Sequence, residues 1–217
     1  MRFNCRLSSL IQKMWIGLVL GLPSATLPII ANAGDPATIL VLGDSISAAY
    51  NMEISQSWPS LLQNRLDQDG YAYRVFNSSI SGDTTRGGLS RLRRLIEMHQ
   101  PAIVLIELGG NDGLRGLPVE ETRKNLSAMI EQSQAAGATV LLAEMRIPPN
   151  YGLTYTEQFM ATYTLLTEQY GVVLLPFLME NIALEPGMMQ ADGIHPSIEA
   201  QPVLLDKIWT TLESRLQ

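Results

Sequence analysis

The stretch ILVLGDS, residues 39–45, carries the strongest indication of the fold, because four aliphatic residues end abruptly at a glycine, an aspartate and Ser45. Four further runs rich in aliphatic and β-branched residues follow it along the chain, at 73–77, 102–108, 138–145 and 172–175. Runs of this length that are nearly continuously apolar are typical of strands buried on both faces of a sheet. The sequence therefore predicts five buried strands.

The segments between these strands carry helix signals. Ser57 and Pro59 mark the beginning of one helix as a cap and a first-turn proline, and Pro118 marks another. Gly137 and Gly171 fit helix ends. The pattern thus alternates strand and helix.

Two more helices are expected nearer the end of the chain, over 155–170 and over 197–215, where Pro202 must delay or kink the start of the second. Alternating strands and helices imply a parallel sheet with helices on both faces. We therefore expect one α/β domain over 34–217, a three-layer α/β/α sandwich with a five-stranded parallel sheet. Ligands of such sheets bind beyond the carboxyl ends of the strands.

Residues 1–33 have the pattern of a secretory signal peptide. Three basic residues come first, an apolar stretch follows over 14–30, and the small-residue pattern ANA ends at Ala33. This predicts cleavage after Ala33 and a periplasmic or secreted mature protein. A membrane anchor is the alternative, but glycines and prolines leave the uninterrupted apolar part shorter than the roughly 20 residues that a spanning helix needs. We expect no stable membrane insertion after cleavage.

Composition narrows the function classes. The chain has 15 basic and 21 acidic residues; setting aside the three basic residues before the predicted cleavage point leaves 12 basic residues and a net charge of −9. A nucleic-acid partner is therefore not expected. The single cysteine, Cys5, lies in the predicted signal, so the mature chain has neither a disulfide nor a thiol nucleophile. With only two histidines, the usual zinc ligand sets are poorly matched, and we expect no metal and no cofactor.

A serine hydroxyl becomes a good nucleophile when a histidine accepts its proton and a carboxylate orients that histidine. Ser45 follows the first strand, and Asp192 and His195 lie together in a loop rich in glycine and proline near the end of the chain. The other histidine, His99, closes an arginine-rich helical stretch, where the helix dipole favours an imidazole without any chemistry. Asp192 could instead cap the next helix beside a partly buried histidine, so both interpretations remain open on local evidence.

Acyl transfer also needs hydrogen-bond donors for the oxygen that becomes negative. Three candidates follow strand ends: the Ser45 N–H, the Gly82 N–H and the Asn111 side-chain amide. Gly82 could equally serve only a turn with positive φ, and Asn111 could serve only an Asx turn.

These residues resemble a known family. GDS at 43–45, Gly82, GxND at 109–112 and DxxH at 192–195 occur in the order seen in SGNH (GDSL-type) hydrolases. The blocks LGGNDGLRGLP (108–118), RIPPNYG (146–152) and DGIHP (192–196) are similar, more narrowly, to its bacterial branch of exported thioesterases, arylesterases and lysophospholipases. The resemblance covers the whole predicted mature chain.

The resemblance implies a flavodoxin-like sandwich that cleaves esters and thioesters, lysophospholipids included, without metal or cofactor. It implies that Ser45 is the nucleophile, His195 the general base and acid, and Asp192 the orienting carboxylate. It further implies an oxyanion hole from Ser45, Gly82 and Asn111, and a mobile loop over 113–118.

Two other motif residues, Asp44 and Asp112, are structural by the same resemblance. Ala49 departs from the family pattern, which usually has glycine before the tyrosine.

Six apolar loop residues would flank the nucleophile if the strand-end loops converge, and an acyl chain could lie against them. They are Leu114, Leu117, Ile147, Pro148, Tyr151 and Ile194. Alternatively, several of them only cover the sheet edge.

Two rival functions remain. One is a carbohydrate or other short-chain acetylesterase with the same constellation, and the other is an exported, non-catalytic flavodoxin-like binding module. We expect a monomer that acts on a small acyl ester or thioester.

Overall fold

Five parallel strands form the centre of the molecule. The structure, a computed structural model, describes residues 35–216, so the predicted signal peptide over 1–33 lies outside the described residues. The strands are β1 (Ala37–Gly43), β2 (Tyr73–Asn77), β3 (Ile103–Glu107), β4 (Thr139–Ala143) and β5 (Val173–Leu175). All five predicted strands are present.

The strands are ordered β2-β1-β3-β4-β5, and every neighbouring pair is parallel. This is the flavodoxin-like order, and it reverses direction between β1 and β3. The loops that follow these two strands leave the sheet on opposite sides and open a crevice at its carboxyl edge. The predicted fold class is confirmed.

Residues 35–216 form six α-helices, five of which cover the two faces of this sheet. They are α1 (Trp58–Gln68), α2 (Thr85–His99), α3 (Gly110–Leu114), α4 (Val119–Ala135), α5 (Leu153–Tyr170) and α6 (Gln201–Leu212). Helices α1 and α6 pack together on one face, while α2, α4 and α5 pack on the other. Within residues 35–216, none of the helices combines the length and the apolarity that crossing a bilayer requires.

Successive side chains of a strand point to opposite faces of the sheet, so the core is divided into two clusters, one on each face. Ile39 and Val41 of β1 lie in the cluster under α1 and α6, whereas Leu40 and Leu42 lie in the cluster under α2, α4 and α5. All four are fully buried. Burying a side chain of this size contributes about 1.5–3 kcal/mol, so both helical layers are bound to the same strand.

Several element ends differ from the sequence predictions. Strands β3 and β4 are shorter than the apolar runs, because the flanking residues belong to the connections. Helix α6 starts at Gln201, with Pro202 in its first turn where a missing N–H is tolerated, so Pro202 delays the helix rather than kinking it. The Ser57 hydroxyl does not cap α1; it donates to the Ile54 carbonyl at 2.7 Å.

Two loops contain short helical segments that the sequence analysis did not predict. The short helix α3 occupies the segment after β3, including the beginning of the predicted mobile loop over 113–118. The proline-rich loop 146–152 contains one 3₁₀ turn over Pro149–Tyr151.

Candidate active site

Ser45 lies in a tight turn at the carboxyl end of β1. The turn is closed by the Ala48 N–H, which donates to the Asp44 carbonyl at 3.0 Å. A side chain at Gly43 has no room, because a Cβ atom there would lie 2.6 Å from Glu107 Oε2 and 2.8 Å from Ser47 Oγ. Glycine is therefore required for the close packing of β1 against these buried polar groups.

The structure brings Asp192 and His195 to Ser45. Asp192 Oδ2 lies 2.7 Å from His195 Nδ1, and Ser45 Oγ lies 2.9 Å from His195 Nε2. With the ring proton on Nδ1 and directed to the carboxylate, Nε2 is free to accept the serine proton. The three side chains thus form one hydrogen-bonded chain.

The electrostatics of Asp192 suit this arrangement. Its Oδ1 accepts the backbone N–H groups of Ile194 and His195 at 2.9 and 3.0 Å. Hydrogen bonds from the backbone and then the ring of His195 lower the pKa of Asp192 to about 2, with a further contribution from Ile194. The carboxylate is therefore ionised at neutral pH.

The loop that carries His195 is held in place from both sides. The Gln190 side-chain amide donates to the carbonyls of Tyr50 and Pro196, each at 3.0 Å, and its backbone N–H donates to the His195 carbonyl at 2.8 Å. The Tyr50 ring lies against the imidazole, with centroids 4.1 Å apart. Gln190 and Tyr50 therefore link the histidine loop to the nucleophile turn.

The loop after Ser45 contains a strained residue. Ala49 has φ 58°, in the left-handed region that favours glycine. Glycine adopts this backbone shape more readily, and this chain adopts it with alanine.

Asn111 is the best placed of the oxyanion candidates. It lies on α3, beside Ser45 and His195 in the wall of one cavity. One hydrogen of its amide is donated to Asp44 Oδ2 at 3.0 Å, which fixes the plane of the amide and leaves the other hydrogen available. Within the described residues, no protein acceptor takes the backbone N–H of Ser45.

Gly82 lies in the turn after β2 and is not among the residues that line this cavity. The turn is joined to β1 by the Ile80 N–H, which donates to the Gly43 carbonyl at 3.0 Å. Arg115 Nη2 donates to the Gly82 carbonyl at 2.8 Å, and an Arg91–Asp83 ion pair at 2.6 Å supports the following residues. The φ of Gly82 is 78°, so the turn requires glycine whether or not its N–H reaches a ligand.

A cavity of about 470 Å³ opens beside Ser45, within the usual range for small-molecule sites. Four of the six predicted apolar residues line it: Leu114, Ile147, Pro148 and Ile194. Leu117 and Tyr151 do not line it.

These two residues instead belong to contacts that support the wall. The Tyr151 hydroxyl donates to the Leu114 carbonyl at 2.7 Å, and the Tyr155 hydroxyl donates to the Leu117 carbonyl at 2.6 Å. The segment at the end of α3 is therefore attached to the α5 side of the molecule.

Sequence reasoning missed part of the cavity lining, which the connection between β5 and α6 supplies. Phe177, Met179, Ala183 and Met189 line the cavity from this segment. The signal was present, because several large apolar residues follow the end of the fifth strand, where ligands of a parallel sheet bind.

It also missed Glu107, the last residue of β3. Its side chain is 1% exposed and lies under the nucleophile turn, where Oε2 accepts the Ser47 hydroxyl at 2.7 Å and the Asp44 N–H at 3.2 Å. Burial raises the pKa of Glu107 well above its usual range and the pKa of Asp44 to about 6. The carboxylate of Asp112 accepts hydrogen bonds from the Thr85 backbone N–H at 2.8 Å and from the Thr85 hydroxyl at 2.5 Å.

Comparisons with known proteins agree with this geometry. The model of the GDSL-like lipase/acylhydrolase family matches residues 41–201. Esterase TesA of Pseudomonas aeruginosa is 51% identical over 82% of this chain and 89% of its own length. Thioesterase 1/protease 1/lysophospholipase L1 of Escherichia coli K12 is 48% identical over 78% of this chain and 80% of its own.

The structural match is equally extensive. The crystal structure of the psychrotrophic esterase EstA from Pseudoalteromonas sp., inhibited by monoethylphosphonate, superimposes with a TM-score of 0.80 at 43% identity. The match covers 82% of this chain and 97% of that one. The chain therefore belongs to the GDSL-like lipase/acylhydrolase family.

Proposed function

We propose that this protein is a serine hydrolase that cleaves carboxylic esters and thioesters of acyl groups through an acyl-enzyme on Ser45. The observation that carries the proposal is the hydrogen-bonded chain from Asp192 through His195 to Ser45 at the wall of an apolar cavity. Membership of an acylhydrolase family supports the same chemistry.

In the first half of the reaction, His195 Nε2 accepts the proton as Ser45 Oγ attacks the acyl carbon. The imidazolium is stabilised by Asp192, whose low pKa keeps it charged throughout. As the tetrahedral intermediate collapses, the same nitrogen returns the proton to the leaving alcohol or thiol, which leaves the acyl group on Ser45.

In the second half, water enters where the leaving group was. His195 Nε2 takes a proton from this water as it attacks the acyl-enzyme, and it then protonates Ser45 Oγ as the acid leaves. The histidine thus alternates between base and acid, and each proton that it accepts is returned.

The negative oxygen of both intermediates would be bound by the Ser45 N–H, the Gly82 N–H and the second hydrogen of the Asn111 amide. Donors that are already oriented cost no reorganisation during the reaction, and one such donor contributes about 10²–10³ in kcat. The Asp44–Asn111 bond supplies this orientation for Asn111.

The apolar cavity favours acyl groups longer than acetyl. Each buried methylene contributes about 0.8 kcal/mol, so four additional carbons would contribute about 3 kcal/mol, or roughly 10² in kcat/KM. We propose that the chain lies against Ile147, Phe177 and Met179, which line the cavity. A lysophospholipid would fit this arrangement with its headgroup outside the cavity.

We further propose that residues 1–33 direct export and are removed, and that the exported protein is a monomer without metal or cofactor. The supporting observation for export is the small-residue pattern that ends at Ala33. Mass spectrometry of the protein from a periplasmic extract tests the cleavage position, because the expected first residue is Gly34. Light scattering of the same sample tests the monomer.

Hydrolysis of p-nitrophenyl esters from acetyl to palmitoyl tests the proposed reaction, with acyl-CoA and lysophosphatidylcholine as thioester and lysophospholipid substrates. We expect kcat/KM to rise over the first additional methylenes and Ser45→Ala to be inactive. A maximum at acetyl would indicate an acetylesterase instead. Absence of turnover on every ester would indicate a binding protein.

A further inference from the structure

Two buried carboxyl groups lie directly beneath the nucleophile turn, and the reaction described above gives neither of them a proton to carry. Glu107 is 1% exposed and Asp44 is 3% exposed. Buried carboxyl groups in contact are costly unless a proton or a cation compensates their charge. Their arrangement therefore needs an explanation.

The two carboxyl oxygens of Glu107 differ in their hydrogen bonds. Its Oε2 accepts two hydrogen bonds, from the Ser47 hydroxyl and from the Asp44 N–H. Its Oε1 is buried and has no hydrogen-bond partner within residues 35–216. A buried oxygen without a partner is costly when it carries part of a negative charge, and protonation of the carboxyl group removes that charge.

Asp44 is in contact with donors on both oxygens. Its Oδ1 accepts the Ile46 N–H at 3.1 Å, and its Oδ2 accepts the Asn111 amide at 3.0 Å. These are the contacts of an ionised carboxylate. The two carboxyl groups of the pair therefore differ: one has the environment of an acid and the other that of its conjugate base.

The surrounding charges agree with one shared proton. Desolvation is the largest cause of the raised pKa of both groups, and the negative charge of Asp44 raises the pKa of Glu107 further. His195 lowers the pKa of Asp44, and the charges of the pair contribute to the raised pKa of Tyr163 on α5. The Tyr163 phenol is fully buried, and its own pKa is raised, so it adds no charge.

We propose that Glu107 is a positioning residue for ester hydrolysis: as a protonated acid paired with the Asp44 carboxylate, it holds the Asn111 amide and the nucleophile turn in their working orientation. The inference rests on the proposed function. Glu107 reaches the reaction by two routes, through Asp44 to the Asn111 amide and through Ser47 to the turn that carries Ser45. Gly43 provides the space for its carboxyl group.

The pair of variants Glu107→Gln and Glu107→Leu tests this role. Glutamine keeps an oxygen for the Ser47 hydroxyl and the Asp44 N–H, and its neutral amide replaces the acid proton. We expect it to retain kcat within about threefold. Leucine removes these contacts, and we expect kcat to fall about 10- to 100-fold, with KM changed less than about threefold, because only the transition-state contacts are misaligned.

The outcomes separate this role from a merely structural one. Equal loss of kcat in both variants would overturn the proposal, because it would show that the charge of Glu107 is needed. Full kcat in a folded Glu107→Leu protein would also overturn it.

A direct measurement of the proton covers the case in which Glu107→Leu does not fold. Wild-type protein with ¹³C-labelled glutamate carboxyl carbons is titrated by NMR, and the Glu107 signal is assigned by its loss in Glu107→Gln. We expect this carbon to remain protonated at neutral pH, and an ionised carbon there would overturn the proposal. If wild-type protein hydrolyses no ester, the proposed function fails, while this titration still decides the state of the pair.

Discussion

The imidazole Nε2 of His195 lies 2.9 Å from Ser45 Oγ, although 150 residues separate them in the sequence. The sheet explains this contact. Ser45 follows β1, and His195 lies in the connection that follows β5. Because the strands are parallel, both segments leave the sheet at its carboxyl edge. Gln190 then joins the two loops by its bond to the Tyr50 carbonyl.

His195 rather than His99 is expected to activate the nucleophile. His99 closes α2, and its ring stacks on Phe76 with centroids 3.6 Å apart, away from Ser45. A fluorophosphonate probe should label wild-type protein and His99→Ala at similar rates. The probe should label His195→Ala far more slowly. Equal labelling of the two histidine variants would exclude His195 as the base.

The Asn111→Ala substitution removes the proposed oxyanion donor. We expect kcat to fall about 10²–10³ while the fold is retained, as measured by circular dichroism and p-nitrophenyl ester hydrolysis. Asn125→Ala is a matched control, because the Asn125 amide on α4 donates to the Thr85 hydroxyl instead. Wild-type turnover in Asn111→Ala would refute the assignment.

The pH profile should depend on the imidazole and not on its carboxylate partner. The pKa of Asp192 is lowered to about 2, so the stabilisation it gives the loop is present above the ordinary aspartate pKa of about 3.9 and is lost only as the pH falls through about 2. We expect kcat/KM to fall on acidification, because a protonated His195 can no longer accept the serine proton. A profile that stays flat from pH 5 to 8 would contradict this mechanism.

Gln190 is expected to align the two halves of the site without touching the substrate. Gln190→Leu removes the bonds to the Tyr50 and Pro196 carbonyls, so the histidine loop can move relative to Ser45. Small misplacements of catalytic groups are costly, and we expect kcat to fall about tenfold or more. Gln134→Leu, which removes a bond to the Tyr170 carbonyl, serves as the control. Unchanged kcat in Gln190→Leu would show that this contact does not align the site.

The sequence was sufficient for the parts of the molecule that depend on local patterns. Apolar runs of strand length predicted all five strands, and polar residues at their ends predicted that Ser45 and Asn111 would meet at one edge. The two-histidine composition directed attention to His195. Each of these signals depends on the spacing of apolar residues or on the position of a residue along the chain, and both can be read from the sequence.

The remainder depended on tertiary packing. Glu107 is the last residue of an apolar strand, and a single acidic residue at such a position usually indicates a strand end that faces solvent. In the structure, its carboxyl group is buried instead, in the space that the missing side chain of Gly43 leaves. Phe177 and Met179 lie in an irregular segment whose apolar residues follow no helical or strand repeat. The sequence therefore could not predict that their side chains line the cavity. Leu117 was assigned to the substrate by its position in a loop, but its carbonyl accepts the Tyr155 hydroxyl and the residue is not part of the cavity lining.

The most direct test of the central claim is mass spectrometry of the protein after reaction with a fluorophosphonate, with peptide mapping of the adduct and an ester-hydrolysis assay of the same sample. We predict a single adduct on Ser45, loss of activity in proportion to its formation, and neither adduct nor activity in Ser45→Ala. An adduct on another residue such as Ser47, or ester hydrolysis that survives in Ser45→Ala, would contradict the account.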